Sequence, residues 1–313
     1  MRRSQAWEHI FGDSRNKPAP GPDGREIEGR CRRVLERIRP LGLPWSLMAF
    51  DLDPFYLNTL RQLVREGVMD PASSLLCVCA GERDHRTLKE AGFPNVTLTN
   101  LETRWELPNP GTHQVAYGDV ENLTFPDKSF DFVIAHNGLH HCASPHRGLL
   151  EMHRVSRKGV LVFEPRDSLL SRWGVRFGLG QDYETAAVAL SYDRVSGGWR
   201  NGPVPNYVYR WTEREIEKVI RSATPWMLCG FRYFYATRPP SGAASRRSPW
   251  IRLGLRLAIP LATVLGRLIP SQTNCFAFLV TQPPLGQGSP PWIRWNGAEP
   301  TLDPEWARRE YRQ

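Results

Sequence analysis

Short apolar runs separated by helix-like stretches dominate the middle of the chain. Residues 74–81 (SLLCVCAG), 95–101 (NVTLTNL), 129–136 (SFDFVIAH) and 159–165 (GVLVFEP) read as strands, and 113–119 (HQVAYGD) as a weaker one. Between them, 86–92 reads as a short helix closed by Gly92, and 144–156 as a longer one. Most of these runs are continuously apolar rather than alternating. That pattern predicts strands buried on both faces, in a parallel sheet covered by helices. Further on, Thr212 and Glu215 form a Thr-x-x-Glu capping box that opens a helix over 213–223. Two more strands are expected at 229–238 and 274–283. Upstream, an amphipathic helix is expected from Glu28 to near Pro40. Another is expected from Pro54 to Glu66, with Leu57, Leu60 and Leu63 or Val64 on one face. The last short helix is expected at 304–311, and no internal repeat is visible.

Composition narrows the reading. The chain has 313 residues, 41% hydrophobic and 23% charged, which suits a folded chain of one large or two modest domains. Its charge of +9 comes from 36 Arg and 5 Lys against 32 acids. The surplus lies after residue 165, where 20 basic face 11 acidic side chains, while residues 71–165 carry 9 and 11. A nucleic-acid protein concentrates positive charge around its site, so no nucleic-acid partner is expected. The six cysteines (31, 77, 79, 142, 229, 275) form no CxxC pair and pair with no HxxxH, so no metal site or disulfide framework is expected. Cys77 and Cys79 alternate on a strand and read as small core residues. A reducing, cytoplasmic setting fits this cysteine usage. The amino terminus has no apolar run of signal-peptide length, and the longest apolar stretch, 257–266, is interrupted by Pro260.

Candidate chemistry follows from a rule of open parallel sheets: ligands bind outside the carboxyl ends of the strands. The ends of the predicted strands carry Ala80-Gly81-Glu82, Asn100, Gly118-Asp119-Val120, His136-Asn137 followed by Leu139-His140-His141, and Glu164-Pro165-Arg166. The stretch GDVENLTFPDKSFDFVIAHNGLHHCASPHRGLLEMHRVSRKGVLVFEP (118–165) resembles the middle of a class I S-adenosylmethionine (SAM) dependent methyltransferase of the type 11 kind. The resemblance rests on an ordered set: Gly-Asp followed by Leu123-x-Phe-Pro, a Phe-Asp-Phe-Val-Ile strand, then Leu-His-His. It covers 72–166 well and the two terminal strands more loosely. It implies an α/β, Rossmann-like doubly wound sheet of about seven strands, mostly parallel with an antiparallel terminal pair. It also implies SAM as cofactor and a small-molecule acceptor, with a hydroxyl favoured and a sugar, lipid or secondary metabolite as candidates. Asp119 would then meet the adenine amino group, Val120 the ring through its amide, and Asn100 the ribose. Ala80, Gly81, Glu82 and His136 complete the expected cofactor contacts.

The resemblance has departures. Where relatives carry acid-x-Gly-x-Gly-x-Gly, this chain has Cys77, Cys79, Gly81 and Arg83, so only the central glycine remains. Asn100 stands in place of a ribose-binding acid, with Glu102 as the substitute carboxylate. The alternative reading is therefore a catalytically inactive relative that keeps the fold as a binding module. A nicotinamide-dependent oxidoreductase is a further reading, disfavoured because its loop needs several glycines. For the enzyme reading, His136, His140 and His141 are the candidate bases, since histidine titrates near working pH.

The expected organisation is a flexible leader with helices (1–70), a SAM-binding core (71–166), and substrate-covering helices with the terminal strands (167–283). A Pro- and Trp-rich tail (284–313) follows. An amphipathic insertion at 250–270 places Arg252, Arg256 and Arg267 on one helical stripe. Such a segment either touches a membrane surface weakly or covers the sheet or pocket, and three arginines favour the covering role. The sequence leaves the oligomeric state open.

Overall fold

The computed structural model describes residues 52–102, 110–178, 180–189, 196–238, 260–261, 263–284 and 286–311. The chain divides into two units, Met1–Phe50 and Asp51–Gln313. The expected leader and the helix from Glu28 to Pro40 lie outside the described residues, as do Arg252 and Arg256 of the basic stripe.

The second unit is built on a sheet of β1 (Leu75–Val78), β2 (Val96–Asn100), β3 (Gln114–Tyr117), β4 (Phe130–His136), β5 (Ser156–Pro165), β6 (Gly230–Ala236) and β7 (Cys275–Thr281). Their order is β3-β2-β1-β4-β5-β7-β6. The strands from β3 through β5 pair in parallel. β7 alone runs against its neighbours β5 and β6, which gives the expected antiparallel end. Connections run outward in one direction from β1 and in the other from β4. Their adjacent carboxyl ends are therefore the switch point of the sheet, where a crevice forms.

Helices cover both faces, which explains the continuous apolar runs. Along β4, Phe132 and Ile134 join one core with Tyr56, Leu60, Leu63 and Phe93. Val133 and Ala135 join the other, with Leu149, Met152, Trp211, Ile216 and Ile220. Each large side chain so buried stabilises the fold by about 1.5–3 kcal/mol. α1 (Pro54–Arg65) and α2 (Glu82–Glu90) supply the first core, while α3 (Pro145–Val155), α4 (Leu169–Arg176), α5 (Thr185–Ala189) and α6 (Glu213–Ala223) follow β4 and β5 in the chain. The starts of these helices are fixed by side chains. Asp53 Oδ1 accepts from the Phe55 amide at 3.0 Å, Ser144 caps α3, and the Thr212–Glu215 box is formed. Gly159 is required where β5 passes β7: a Cβ there would come 2.5 Å from the Val280 carbonyl oxygen.

Three local differences from the sequence reading have physical reasons. β3 is exposed along its length, so it leaves only a faint apolar signal. The tail contains a hairpin of β8 (Ile293–Asn296) and β9 (Glu299–Leu302) ahead of α7 (Pro304–Tyr311). Its two-residue turn is Gly297-Ala298, with Gly297 at φ +63° in the first central position, a turn signal the sequence does carry. Of the 250–270 insertion, residues 263–268 are helical, and Leu261, Val264 and Leu268 are exposed. Among the described residues no helix is long and apolar enough to cross a membrane.

Candidate functional site

At the switch point two non-glycine residues hold the left-handed backbone conformation. Cys79, just past β1, and Asn137, just past β4, both lie at φ +52°. Such conformations cost on the order of 1–3 kcal/mol each and persist where packing enforces them. Here the Asn137 amide donates to the Phe163 carbonyl at 2.8 Å. Cys79 packs over Gly138 so closely that a Cβ on residue 138 would lie 2.4 Å from the Cys79 Cβ. The turn exposes Cys79 to a cavity of about 360 Å³, a size suited to a small molecule. Cys77 is core as expected, but Cys79 is not. The strand ends at Val78, and the left-handed turn ends the alternation before residue 79.

The cavity wall carries Asn100, Asp119 and Val120, which the sequence reading singled out, together with Glu121, His141, Cys142 and Arg200. Asn100 bridges two strand ends: its Nδ2 donates to the Ala80 carbonyl at 2.6 Å and its Oδ1 accepts from the Glu102 amide at 2.9 Å. Asp119 Oδ1 accepts from the Glu121 amide at 2.9 Å, and Oδ2 from Arg200 Nη2 at 2.9 Å. Glu121 in turn accepts from the Ala143 and Ser144 amides at 2.9 and 2.8 Å, which ties the loop after β3 to the start of α3. Ala80, Gly81 and Glu82 lie outside the cavity wall. Gly81 starts α2, its amide donating to Asp84 Oδ2 at 2.9 Å. A Cβ at Gly81 would find only that oxygen, at 3.9 Å, so protein packing does not demand glycine there. Glu82 faces out and pairs with Arg86 at 2.7 Å.

The three histidines are placed very differently. His136 is buried, stacked on Tyr56 with ring centroids 4.6 Å apart, and its Nε2 lies 3.1 Å from Asp53 Oδ2. Arg238 closes on the same carboxylate. Burial opposes charge on Asp53, but the His136 bond and Arg238 outweigh it and hold the carboxyl well below its usual range. His140 is also buried. Its Nδ1 lies 2.6 Å from Glu164 Oε2 and its Nε2 3.4 Å from Glu184 Oε2. Burial works against its positive charge, yet the two carboxylates prevail and push the imidazole up to about 10. His141 is the member on the cavity wall, with its side chain 29% exposed. Its Nε2 lies 3.3 Å from Glu184 Oε2 and its Nδ1 3.4 Å from the Gly198 carbonyl oxygen. Burial and the charged His140 beside it lower its proton affinity, leaving a neutral ring.

Glu164 organises this corner. Oε1 accepts from the amides of Gly138 and Leu139, at 2.9 and 2.8 Å, while Oε2 holds His140. Glu184, just before α5, supplies a second carboxylate, held down to about 2 by its histidine partners despite partial burial. Sequence reasoning places Glu164 at a strand end but passes over Glu121, Glu184 and Arg200. The last two lie in a stretch with no periodic pattern, and no local signal marks them.

Residues 76–163 match the family model described as "Methyltransferase domain". Among solved structures, the chain is similar to a SAM-dependent methyltransferase of Thermotoga maritima described as a possible histamine N-methyltransferase. That pair shares 15% identity over 82% of this chain and 99% of the other, at a TM-score of 0.43. Phosphoethanolamine N-methyltransferase 2 of Haemonchus contortus, solved with S-adenosyl-L-methionine, is 14% identical over 72% of this chain and 52% of its own, at a TM-score of 0.42. The YcgJ protein of Bacillus subtilis is 12% identical over 73% and 99%, at 0.44. No curated protein matches. Residues 76–163, which carry the crevice at the β1/β4 switch point, therefore match a methyltransferase domain.

Proposed function

We propose that the protein transfers the methyl group of SAM to a hydroxyl oxygen of a small-molecule acceptor, activated at the His141 wall of the cavity. The observation that carries the reading is the position of His141: neutral, partly exposed, and on the same cavity as Asn100, Asp119 and Val120.

The residues present fit the nucleoside part of the cofactor. Asp119 offers a carboxylate to an exocyclic amino group, the Val120 amide borders the ring position, and Asn100 reaches the ribose edge at the end of β2. When bound, the cofactor supplies a methyl group on a sulfonium, a good leaving group that needs in-line approach more than side-chain chemistry. The chain's task is to place the acceptor oxygen and remove its proton. That proton would pass to His141 Nε2, since Nδ1 faces the Gly198 carbonyl oxygen. His136 and His140 support the wall from behind, the first locked by Asp53 and the second by Glu164.

The test combines binding and turnover. In calorimetry, Asp119→Ala is expected to weaken SAM at least about tenfold, from loss of a charge-assisted hydrogen bond of about 1.5–3 kcal/mol. His141→Ala is expected to lower turnover by about 10²- to 10⁴-fold with SAM affinity nearly intact. A parent that binds SAM yet methylates nothing in a broad hydroxylated panel, with product read by mass, would overturn the enzyme reading and favour a binding module.

A further inference from the structure

We propose that His140, His141 and Glu184 form a binding site for one divalent first-row transition-metal ion on the cavity wall. Its catalytic role rests on the hydroxyl-acceptor reading above, whereas binding of the ion does not.

Three donor groups converge at this corner of the cavity. His140 Nε2 and His141 Nε2 lie 3.4 and 3.3 Å from the same oxygen, Glu184 Oε2. The three ligand atoms all fall within 4.8 Å of one another. Two ligands bonded at about 2.05 Å and separated by a tetrahedral angle stand about 3.3 Å apart. Both histidine–glutamate separations match that spacing.

The outer shell is also built. A metal-ligating histidine ordinarily donates its other ring nitrogen to a carboxylate or a backbone carbonyl, which fixes the tautomer and aims the free lone pair. Both histidines meet that condition. His140 Nδ1 lies 2.6 Å from Glu164 Oε2, and His141 Nδ1 lies 3.4 Å from the Gly198 carbonyl oxygen. Glu164 is itself immobilised by the Gly138 and Leu139 amides. The short 3₁₀ turn Leu139–His141 lets two consecutive histidines aim the same type of nitrogen at one carboxylate. Asn206, buried, steadies the corner through Nδ2, 3.3 Å from Glu184 Oε2 and 3.2 Å from the His140 carbonyl oxygen.

Ligand chemistry selects the ion. Two imidazoles and one carboxylate suit zinc, cobalt or manganese, whereas magnesium and calcium prefer oxygen throughout. Binding of the ion displaces the Nε2 proton of His140, and the charge of a divalent ion then takes its place in balancing the carboxylates of Glu164 and Glu184. Because His141 and Gly198 line the cavity, the open coordination position falls to a cavity oxygen. An acceptor hydroxyl bound there would lose its proton more readily, to cavity water, as water does on such ions. With the ion bound, His141 would serve the reaction as a ligand, and the water would take the proton assigned to it above.

The full chain, stripped of metal with a chelator and dialysed, is titrated with Co²⁺ and followed by visible absorption. Zn²⁺ competition is read by calorimetry. The expected result is one equivalent bound with the intense visible bands of tetrahedral Co²⁺. Glu184→Gln and His141→Ala should each weaken binding by more than about a hundredfold, and Glu164→Gln by about ten- to a hundredfold. Circular dichroism checks that the variants fold; His141 and Glu184 are both partly exposed, so their replacement leaves the core intact. Absence of saturable binding in the folded parent would overturn the proposal. So would binding that survives both His141→Ala and Glu184→Gln unchanged, or that shows thiolate charge-transfer bands from cysteine ligation. Saturable binding at this site without methyl transfer to any hydroxylated acceptor would support the metal site while removing the reaction assigned to the cavity.

Discussion

Two buried histidines at opposite ends of the sheet separate the working end of this molecule from its structural end. His140 and His153 are each 3–4% exposed, yet their surroundings drive them in opposite directions. At the carboxyl end of the strands, Glu164 and Glu184 outweigh burial and push His140 up to about 10. At the other end, among the described residues no carboxylate pairs with His153 in the last turn of α3. Burial first, and the nearby Lys128 charge second, lower it to about 4. At the structural end Gln282 Nε2 donates to the His153 and Ser156 carbonyls at 2.9 and 3.1 Å, while its Oε1 accepts from the Lys128 ammonium. The working end instead gathers Glu121, Glu164 and Glu184 with the left-handed residues Cys79 and Asn137. Burial alone therefore does not fix the state of a histidine. The working end thus keeps its buried histidine charged between two carboxylates, whereas the other end keeps its histidine neutral beside a cation.

The strongest way to break this contrast is to remove the acid that maintains it. Glu164→Ala would leave His140 charged and two amides unpaired in a buried site. Loss of one member of a buried pair costs about 3–5 kcal/mol. Urea unfolding should show a loss of this order, and a loss below about 1 kcal/mol would mean that His140 carries no buried charge in the folded chain.

The second test acts at the structural end through pH. His153 has a folded value of about 4, below its ordinary 6.5, so the unfolded chain binds the extra proton first. Its contribution is fully present above pH 6.5 and is lost as pH falls from there to about 4. The slope integrates to about 3 kcal/mol at most. His153→Phe should flatten that acid limb in urea melts taken between pH 7 and 4. An unchanged limb would assign the acid sensitivity to other groups.

The fold was largely legible because burial on both faces leaves continuous apolar runs, and caps such as Thr212–Glu215 are local in sequence. β3 is faint because water covers it, and the Gly297 turn of the tail hairpin carries a signal that the Pro- and Trp-rich composition obscures. The site was legible only where a strand end delivers a residue directly, as with Asn100, Asp119 and Val120. Its remaining partners are non-local. Asp53, capping α1, holds His136 away from the cavity, and Glu184 reaches the His140–His141 pair from a stretch without periodicity. Spacing within a strand or helix cannot reveal such pairings, because they arise only when the chain returns to the same corner.

The smallest expected effect concerns Arg200, which places a positive charge on the acid expected to read adenine. Its Nη2 donates to Asp119 Oδ2 at 2.9 Å and its Nη1 lies 3.3 Å from Glu121 Oε2, with the side chain 40% exposed. Because Asp119 Oδ1 is already committed to the Glu121 amide, Oδ2 is the oxygen that an adenine amino group would share with Arg200. A half-exposed pair of this kind is worth about 0.2–1 kcal/mol. Arg200→Ala should therefore tighten SAM by no more than about fivefold, with little change in folding stability, because the guanidinium no longer competes for the oxygen. Isothermal titration of parent and variant reads the sign directly. Weaker binding in the variant would show that Arg200 contacts the cofactor itself. The charged working end would then be organised around the ligand by both its acids and its arginine.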